Sequence, residues 1–164
     1  MSRAHDLLAN ERWHGADITA VVRQETEHLG GQRAVTASGP HVRLNPKAAL
    51  ALALVVHELG TNAVKYGALS VTGGKVDIGW RVDRSSKEPQ LVLHWEESNR
   101  PQVVPSEHRG FGSLLIERSI SYELDGSAQL DYRRDGLICT ISAPLRAVRP
   151  FLSHQSPEGI LAAQ

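Results

Sequence analysis

Glu58, Asn62 and Lys65 stand in the stretch HELGTNAVKYGAL, residues 57–69, directly after a run of alanine, leucine and valine that reads as a helix interior. On a helical wheel the three fall within about 60° of one another. They line one edge of a core-facing stripe formed by Leu52, Val55, Val56, Leu59, Ala63 and Tyr66. Glu58 and Asn62 are four apart and so neighbours on the helix surface. A carboxylate and an amide oxygen stacked in this way can hold a hard cation or its waters, and Mg²⁺ takes few protein ligands beside phosphate oxygens. Lys65, one turn on, can meet a phosphate as a point charge. A solvated polar edge with ordinary pairing along the helix has the same spacing. His57 lies off this edge and reads as a packing or supporting residue. A zinc-protease helix is excluded, because Thr61 stands where the second histidine would be. Gly60, mid-helix, costs about 1 kcal/mol against alanine and points to close approach by another element.

Two further pieces could serve the same chemistry. In HWEESNRP (94–101) Glu97 stands at a strand end, where a carboxylate can accept a hydrogen bond from an exocyclic amine or remain a surface glutamate. Trp95 alternates with its neighbours and reads as packing on a sheet face. In RGFGSLLIERSI (109–120) Gly110 and Gly112 precede a helix, so backbone N–H groups and the positive helix end can approach an anion. Arg109 can contact a phosphate, and Ser113 can touch one or cap the helix. A plain turn would look alike, and Leu115 at the third place excludes the dinucleotide fingerprint.

These residues need a scaffold, and 164 residues suffice for one domain with a core. Apolar residues at 41% and charged residues at 22% are an ordinary globular balance. Eighteen basic and 18 acidic residues cancel, so the footprint of a dedicated nucleic-acid binder is missing. The single cysteine, Cys139, precludes an internal disulfide framework and reads as a buried thiol in a reducing compartment. The longest apolar run, Ala48 to Val56, is half of the ~20 residues a membrane span needs. With no signal-peptide pattern at the start, the expectation is a soluble, cytoplasmic chain without membrane contact.

Residues 3–10 look like the end of a helix. Asp17 can cap a helix over ITAVVRQETEHL, stopped by Gly30-Gly31. RAVTAS and HVRL lean to strand. Asn45-Pro46 starts the long helix, which should run to about Tyr66. Residues 74–83 and 90–97 alternate as strands joined by RSSKEP. A polar loop from Ser98 to Arg109 leads to the helix opened by Gly110-Phe111-Gly112-Ser113, and 127–133 with 137–144 form a hairpin. Residues 146–164 read as a loose tail. The order predicts an α+β fold, with helices layered on one face of a mixed sheet.

Taken together, HELGTNAVKYGAL, WEE and GFGSLLI, in this order and spacing, resemble the nucleotide-binding domain of sensor histidine kinases. His57 and Trp95-Glu96-Glu97 are similar to the markers of the HWE subfamily. The resemblance spans roughly residues 3–145. It implies a Bergerat (GHKL) two-layer α/β sandwich, a mixed sheet of about five strands with three main helices on one face, binding ATP with Mg²⁺. By position it makes Glu58 and Asn62 the catalytic and metal-binding pair. Lys65, Tyr66, Glu97 and the run Arg109, Gly110, Phe111, Gly112, Ser113 and Leu114 become nucleotide contacts, with Glu97 reading adenine and 98–109 a short lid. Asn99 and Arg100 stand where the family usually has glycine, which bears on adenine binding. Residues 1–12 would be the end of a dimerisation helix and linker, 13–145 the catalytic domain and 146–164 a tail. The phosphoacceptor histidine would lie on a domain upstream of this chain, which makes His5 a poor acceptor.

The activity so implied is transfer of the ATP γ-phosphoryl to a histidine of a dimerisation domain, with a response regulator receiver domain as the next partner. A non-catalytic docking scaffold of the same fold, or a protein-serine kinase of the anti-sigma type, are the alternatives. A monomer is favoured, although Leu7, Leu8 and Trp13 could pair chains.

Overall fold

The computed structural model describes residues 16–31, 34–99 and 111–150. The elements are β1 (Ala16–Asp17), α1 (Ile18–Thr26), β2 (Val35–Ser38), β3 (Arg43–Leu44), α2 (Pro46–Lys65), a 3₁₀ turn (Ala68–Ser70), β4 (Lys75–Asp83), β5 (Gln90–Ser98), α3 (Phe111–Leu124), β6 (Ser127–Arg133), β7 (Gly136–Pro144) and the short α4 (Leu145–Val148). Five strands form one mixed sheet in the order β2-β4-β5-β7-β6. β2 runs parallel to β4, and the remaining pairs are antiparallel. β1 and β3 form a separate two-residue ribbon that periodicity did not disclose.

Local chemistry explains the boundaries. Asp17 caps α1 by accepting from the Thr19 amide at 2.8 Å; burial raises its carboxyl, but the bonds from Thr19 and His41 together outweigh this and hold it below the ordinary range. The Thr26 hydroxyl donates back to the Val22 carbonyl at 2.7 Å, and α1 ends there, earlier than the glycines at 30 and 31 suggest. Asn45 caps α2 by accepting from the Ala48 amide at 2.8 Å, with Pro46 at the first helical position.

The register sorts the sheet into two faces. Val76 sits opposite Glu97, Ile78 opposite Trp95 and Trp80 opposite Leu93; Trp95 and Leu93 continue to Cys139 and Ile141 on β7. All of these are buried. Their neighbours one residue along, Lys75, Asp77, Arg81 and Glu96, are exposed. The helices therefore cover one face, as expected, and α2 packs between α1 and α3 over it. Its stripe of Leu52, Val55, Val56, Leu59 and Ala63 is buried.

Among the described residues α2 alone is long and apolar enough to cross a membrane, and here it is a core helix. A side chain at Gly60 would meet Leu29 Cδ1 at 2.5 Å, so the expected close approach comes from the segment after α1.

Residues from 146 onward do not all form a loose tail. Leu145 and Val148 of α4 are buried, and Asn45 Nδ2 donates to the carbonyls of Ala147 and Arg149, each at 3.0 Å. Residues 151–164, like 1–15, lie outside the described residues.

Candidate functional site

Glu58 and Asn62 project from α2 half-buried, towards the first turn of α3. Gly112 fixes the geometry of this corner. A β-carbon on it would run into Glu58 Oε1 and lie 3.2 Å from Asn62 Nδ2. The two α2 side chains and the α3 glycine, 54 and 50 residues apart in sequence, therefore share one small space. With Glu58 and Asn62 where they stand, there is no room for a side chain at this point of α3. Lys65, the last residue of α2, is exposed beyond them.

The wheel misplaces Tyr66. It is 48% exposed and not part of the core stripe. α2 ends at Lys65, and Tyr66 takes φ −132°, so helical projection no longer applies to it. His57 is likewise not a packing residue. Its imidazole is exposed, and Nδ1 lies 3.2 Å from Glu25 Oε2 of α1.

Glu97 forms the second part of the site. It lies on the core face of β5 and is 5% exposed. Its Oε1 accepts from the Ala68 amide at 2.9 Å, and its Oε2 accepts from Trp95 Nε1 at 3.3 Å. Gly67 admits the carboxylate, since a β-carbon there would run into Glu97 Oε1. Trp95, read from sequence as a packing residue, is fully buried and also orients Glu97. Spacing of two on a strand puts both side chains on one face, a signal the sequence contained. The 3₁₀ turn that offers the Ala68 amide left no comparable trace.

Asn99 adopts φ 59°, the left-handed conformation that glycine favours and asparagine tolerates. This accounts for asparagine where the family resemblance implies glycine. Its Nδ2 donates to the Gly73 carbonyl at 3.3 Å. Ser113 does not cap α3; its Oγ shares a 2.6 Å hydrogen bond with the Tyr132 hydroxyl of β6. Leu114 is 43% exposed. Arg100, Arg109, Gly110 and the lid segment 100–109 lie outside the described residues, as does the Phe111 side chain.

Among the described residues no group of three or more His, Cys, Asp or Glu side chains is arranged to hold a metal ion. Glu58 and Asn62 nevertheless supply a carboxylate and an amide of the kind Mg²⁺ accepts beside water and phosphate, with the Asn62 oxygen, not the Nδ2 that faces Gly112, as the ligand.

Residues 1–41 match the sequence profile of the HWE histidine kinases. The blue-light-activated histidine kinase of Brucella ovis is 34% identical over 165 aligned residues, 99% of this chain and 34% of that protein. Its counterpart in Brucella anthropi is 33% identical over 90% of this chain and 30% of its own length. The chain thus spans about a third of the length of the curated relatives it matches.

Among solved structures, the Erythrobacter litoralis EL346 blue-light activated histidine kinase superposes with TM-score 0.61 at 17% identity, covering 87% of this chain and 45% of that one. The ATP-binding domain of PrrB from Mycobacterium tuberculosis gives 0.56 at 20% identity, covering 80% and 96%. The fold is therefore that of histidine kinase catalytic domains. The sequence matches relate the chain to the HWE histidine kinases, the family that His57 and Trp95-Glu96-Glu97 resemble.

Proposed function

We propose that this chain is the ATP-binding catalytic domain of an HWE sensor histidine kinase, acting in the cytoplasm on the histidine of a phosphoacceptor domain. The observation that carries the reading is the corner where Glu58 and Asn62 of α2 meet Gly112 of α3. It joins an acidic and an amide donor to a helix N-terminus whose first turn contains no acidic residue. That combination suits a polyphosphate and its cation.

In this reading Glu97 accepts from the adenine amino group, and Lys65, Tyr66 and the Arg109–Leu114 segment hold the nucleotide. Asn62, with Glu58, holds the metal, which when bound neutralises charge on the phosphate oxygens. Glu58 also orients the incoming imidazole, directly or through water. The imidazole nitrogen bonds to the γ-phosphorus as the bond to the β,γ-bridging oxygen breaks, so ADP leaves with that electron pair. Positioning and charge neutralisation supply most of the catalysis in such a transfer. A response regulator receiver domain takes the phosphoryl group next.

The test supplies a separate dimerisation domain with its histidine and follows transfer from radiolabelled ATP. Transfer that falls at least tenfold in Asn62→Ala, to an acid-labile product, is expected. Transfer undiminished in Asn62→Ala overturns the site assignment. An acid-stable phosphoprotein moves the reading to a serine kinase, and an absence of Mg²⁺-dependent nucleotide binding moves it to a docking scaffold.

A further inference from the structure

Tyr132 lies outside every motif singled out in the sequence. It stands near the end of β6, opposite Leu137, with its ring packed against the core. Its hydroxyl meets Ser113 Oγ at 2.6 Å, a short hydrogen bond in part-buried surroundings. Ser113 follows Gly112, whose backbone closes on Glu58 and Asn62. The sheet therefore reaches the first turn of α3 through a rigid aromatic ring with few rotatable bonds. While this bond is made, the Ser113 backbone cannot shift away from Tyr132, and Gly112 beside it in the same helical turn is held with it.

From this geometry we infer that Tyr132 is a positioning residue for the phosphate end of the site. It pins the first turn of α3 so that the Gly112 and Ser113 backbone stays aimed at the Glu58–Asn62 corner. The inference rests on the nucleotide-binding reading above and adds to it a residue on a different strand, with a stated division of labour. Adenine recognition at Glu97 is independent of the tether, whereas affinity contributed by the phosphates depends on it. The role belongs to the hydroxyl, since Tyr132→Phe keeps the ring in its packing.

The experiment compares the unsubstituted chain, Tyr132→Phe, Ser113→Ala and the double variant by calorimetric titration with adenosine and with a non-hydrolysable ATP analogue plus Mg²⁺. Amide hydrogen exchange over residues 112–116 is followed without nucleotide. Tyr132→Phe should weaken the analogue roughly two- to tenfold, the range of one net hydrogen bond, and leave adenosine unchanged. The double variant should be no weaker than Ser113→Ala alone. Exchange of the 112–116 amides should quicken in Tyr132→Phe.

Unchanged analogue affinity and unchanged exchange in Tyr132→Phe overturn the inference. So does Ser113→Ala losing affinity while Tyr132→Phe keeps it, which leaves Ser113 acting without the tether. Equal weakening of adenosine and analogue reduces Tyr132 to a general structural role and likewise overturns it. If the unsubstituted chain binds no analogue, the nucleotide-binding reading falls and the positioning role falls with it; binding by the unsubstituted chain with an insensitive Tyr132→Phe removes the positioning role alone.

Discussion

Trp95 donates its indole N–H to the carboxylate of Glu97, two residues along the same strand, at 3.3 Å, with both side chains buried on the core face of β5. The strand period explains why a tryptophan and a glutamate with one residue between them act as a unit. Trp95→Phe keeps an aromatic ring in the core but removes the donor and leaves a small cavity. It should destabilise the fold by about 2–3 kcal/mol. Repeating the change in a Glu97→Gln background should cost about 1 kcal/mol less, because an amide oxygen accepts a weaker bond than a carboxylate. Urea unfolding of the four proteins checks this; equal penalties in both backgrounds would show that the carboxylate charge adds nothing to the bond.

Gly67 and Gly112 are both contacted by acidic side chains, but the two positions should respond differently. A methyl group at Gly67 would run into Glu97 Oε1 and lie 2.9 Å from the Ala63 Cα, a backbone atom of α2. Neither neighbour can yield cheaply, since Glu97 is buried and bonded at both oxygens. Gly67→Ala should cost about 1–3 kcal/mol of stability. At Gly112 the obstacles are the ends of the half-buried Glu58 and Asn62 side chains, which can turn aside. Gly112→Ala should therefore unfold within about 0.5 kcal/mol of the unsubstituted chain while losing Mg²⁺-dependent nucleotide affinity. Thermal unfolding paired with the analogue titration separates the two; a large stability loss in Gly112→Ala would mean the corner is rigid.

The contrast also marks what the sequence disclosed. Asn45-Pro46 set the start of α2, and the alternation in β4 and β5 announced strands whose register is now seen. The Glu58–Asn62 edge was visible because helical spacing reports neighbours on one helix. Partners across elements were not, so neither Tyr132 against Ser113 nor Glu25 against His57 could be read from spacing. Tyr66 was misread because the wheel extends a helix past its true end, where one non-helical residue redirects the side chain. The β1–β3 ribbon, two residues a side, is too short to show a period.

Asn45 joins the start of α2 to the end of the described chain. Its Oδ1 accepts from Ala48, and its Nδ2 serves the carbonyls of Ala147 and Arg149. Asn45→Ala should cost about 1–2 kcal/mol, the cap plus two part-buried carbonyls that lose this donor. Asn45→Asp keeps the capping oxygen but turns the donor into a second oxygen that faces both carbonyls. Its loss should equal or exceed that of alanine at pH 7, even though aspartate is as good a cap in isolation. A stable Asn45→Asp variant in urea unfolding would show that α4 is held without the side-chain amide, by the buried Leu145 and Val148 and by the backbone bonds of the Asn45 amide to the Val148 carbonyl and of the Leu145 amide to the Pro89 carbonyl.

Cys139 offers a test of the core by pH. The thiol sits at the centre of the sheet opposite Trp95 and Leu130, and burial, helped by the charge of Glu117, pushes it up to about 12. In the unfolded chain the same group ionises near its ordinary value of 9.0. Below pH 9 both states hold the proton and the thiol contributes no pH dependence. Between about 9 and about 12 the unfolded state releases its proton while the folded state retains it, so stability falls as pH rises through that window. Cys139→Ala removes this one titration and leaves the lysines and tyrosines in place. The drop in urea midpoint from pH 8 to pH 10.5 should therefore be smaller in Cys139→Ala than in the unsubstituted chain. A thiol reagent at pH 8 should likewise label the chain slowly when folded and quickly in urea. Equal pH slopes in the two proteins, or prompt labelling of the folded chain, would place Cys139 in contact with solvent and contradict the sealed core beneath α2 and α3.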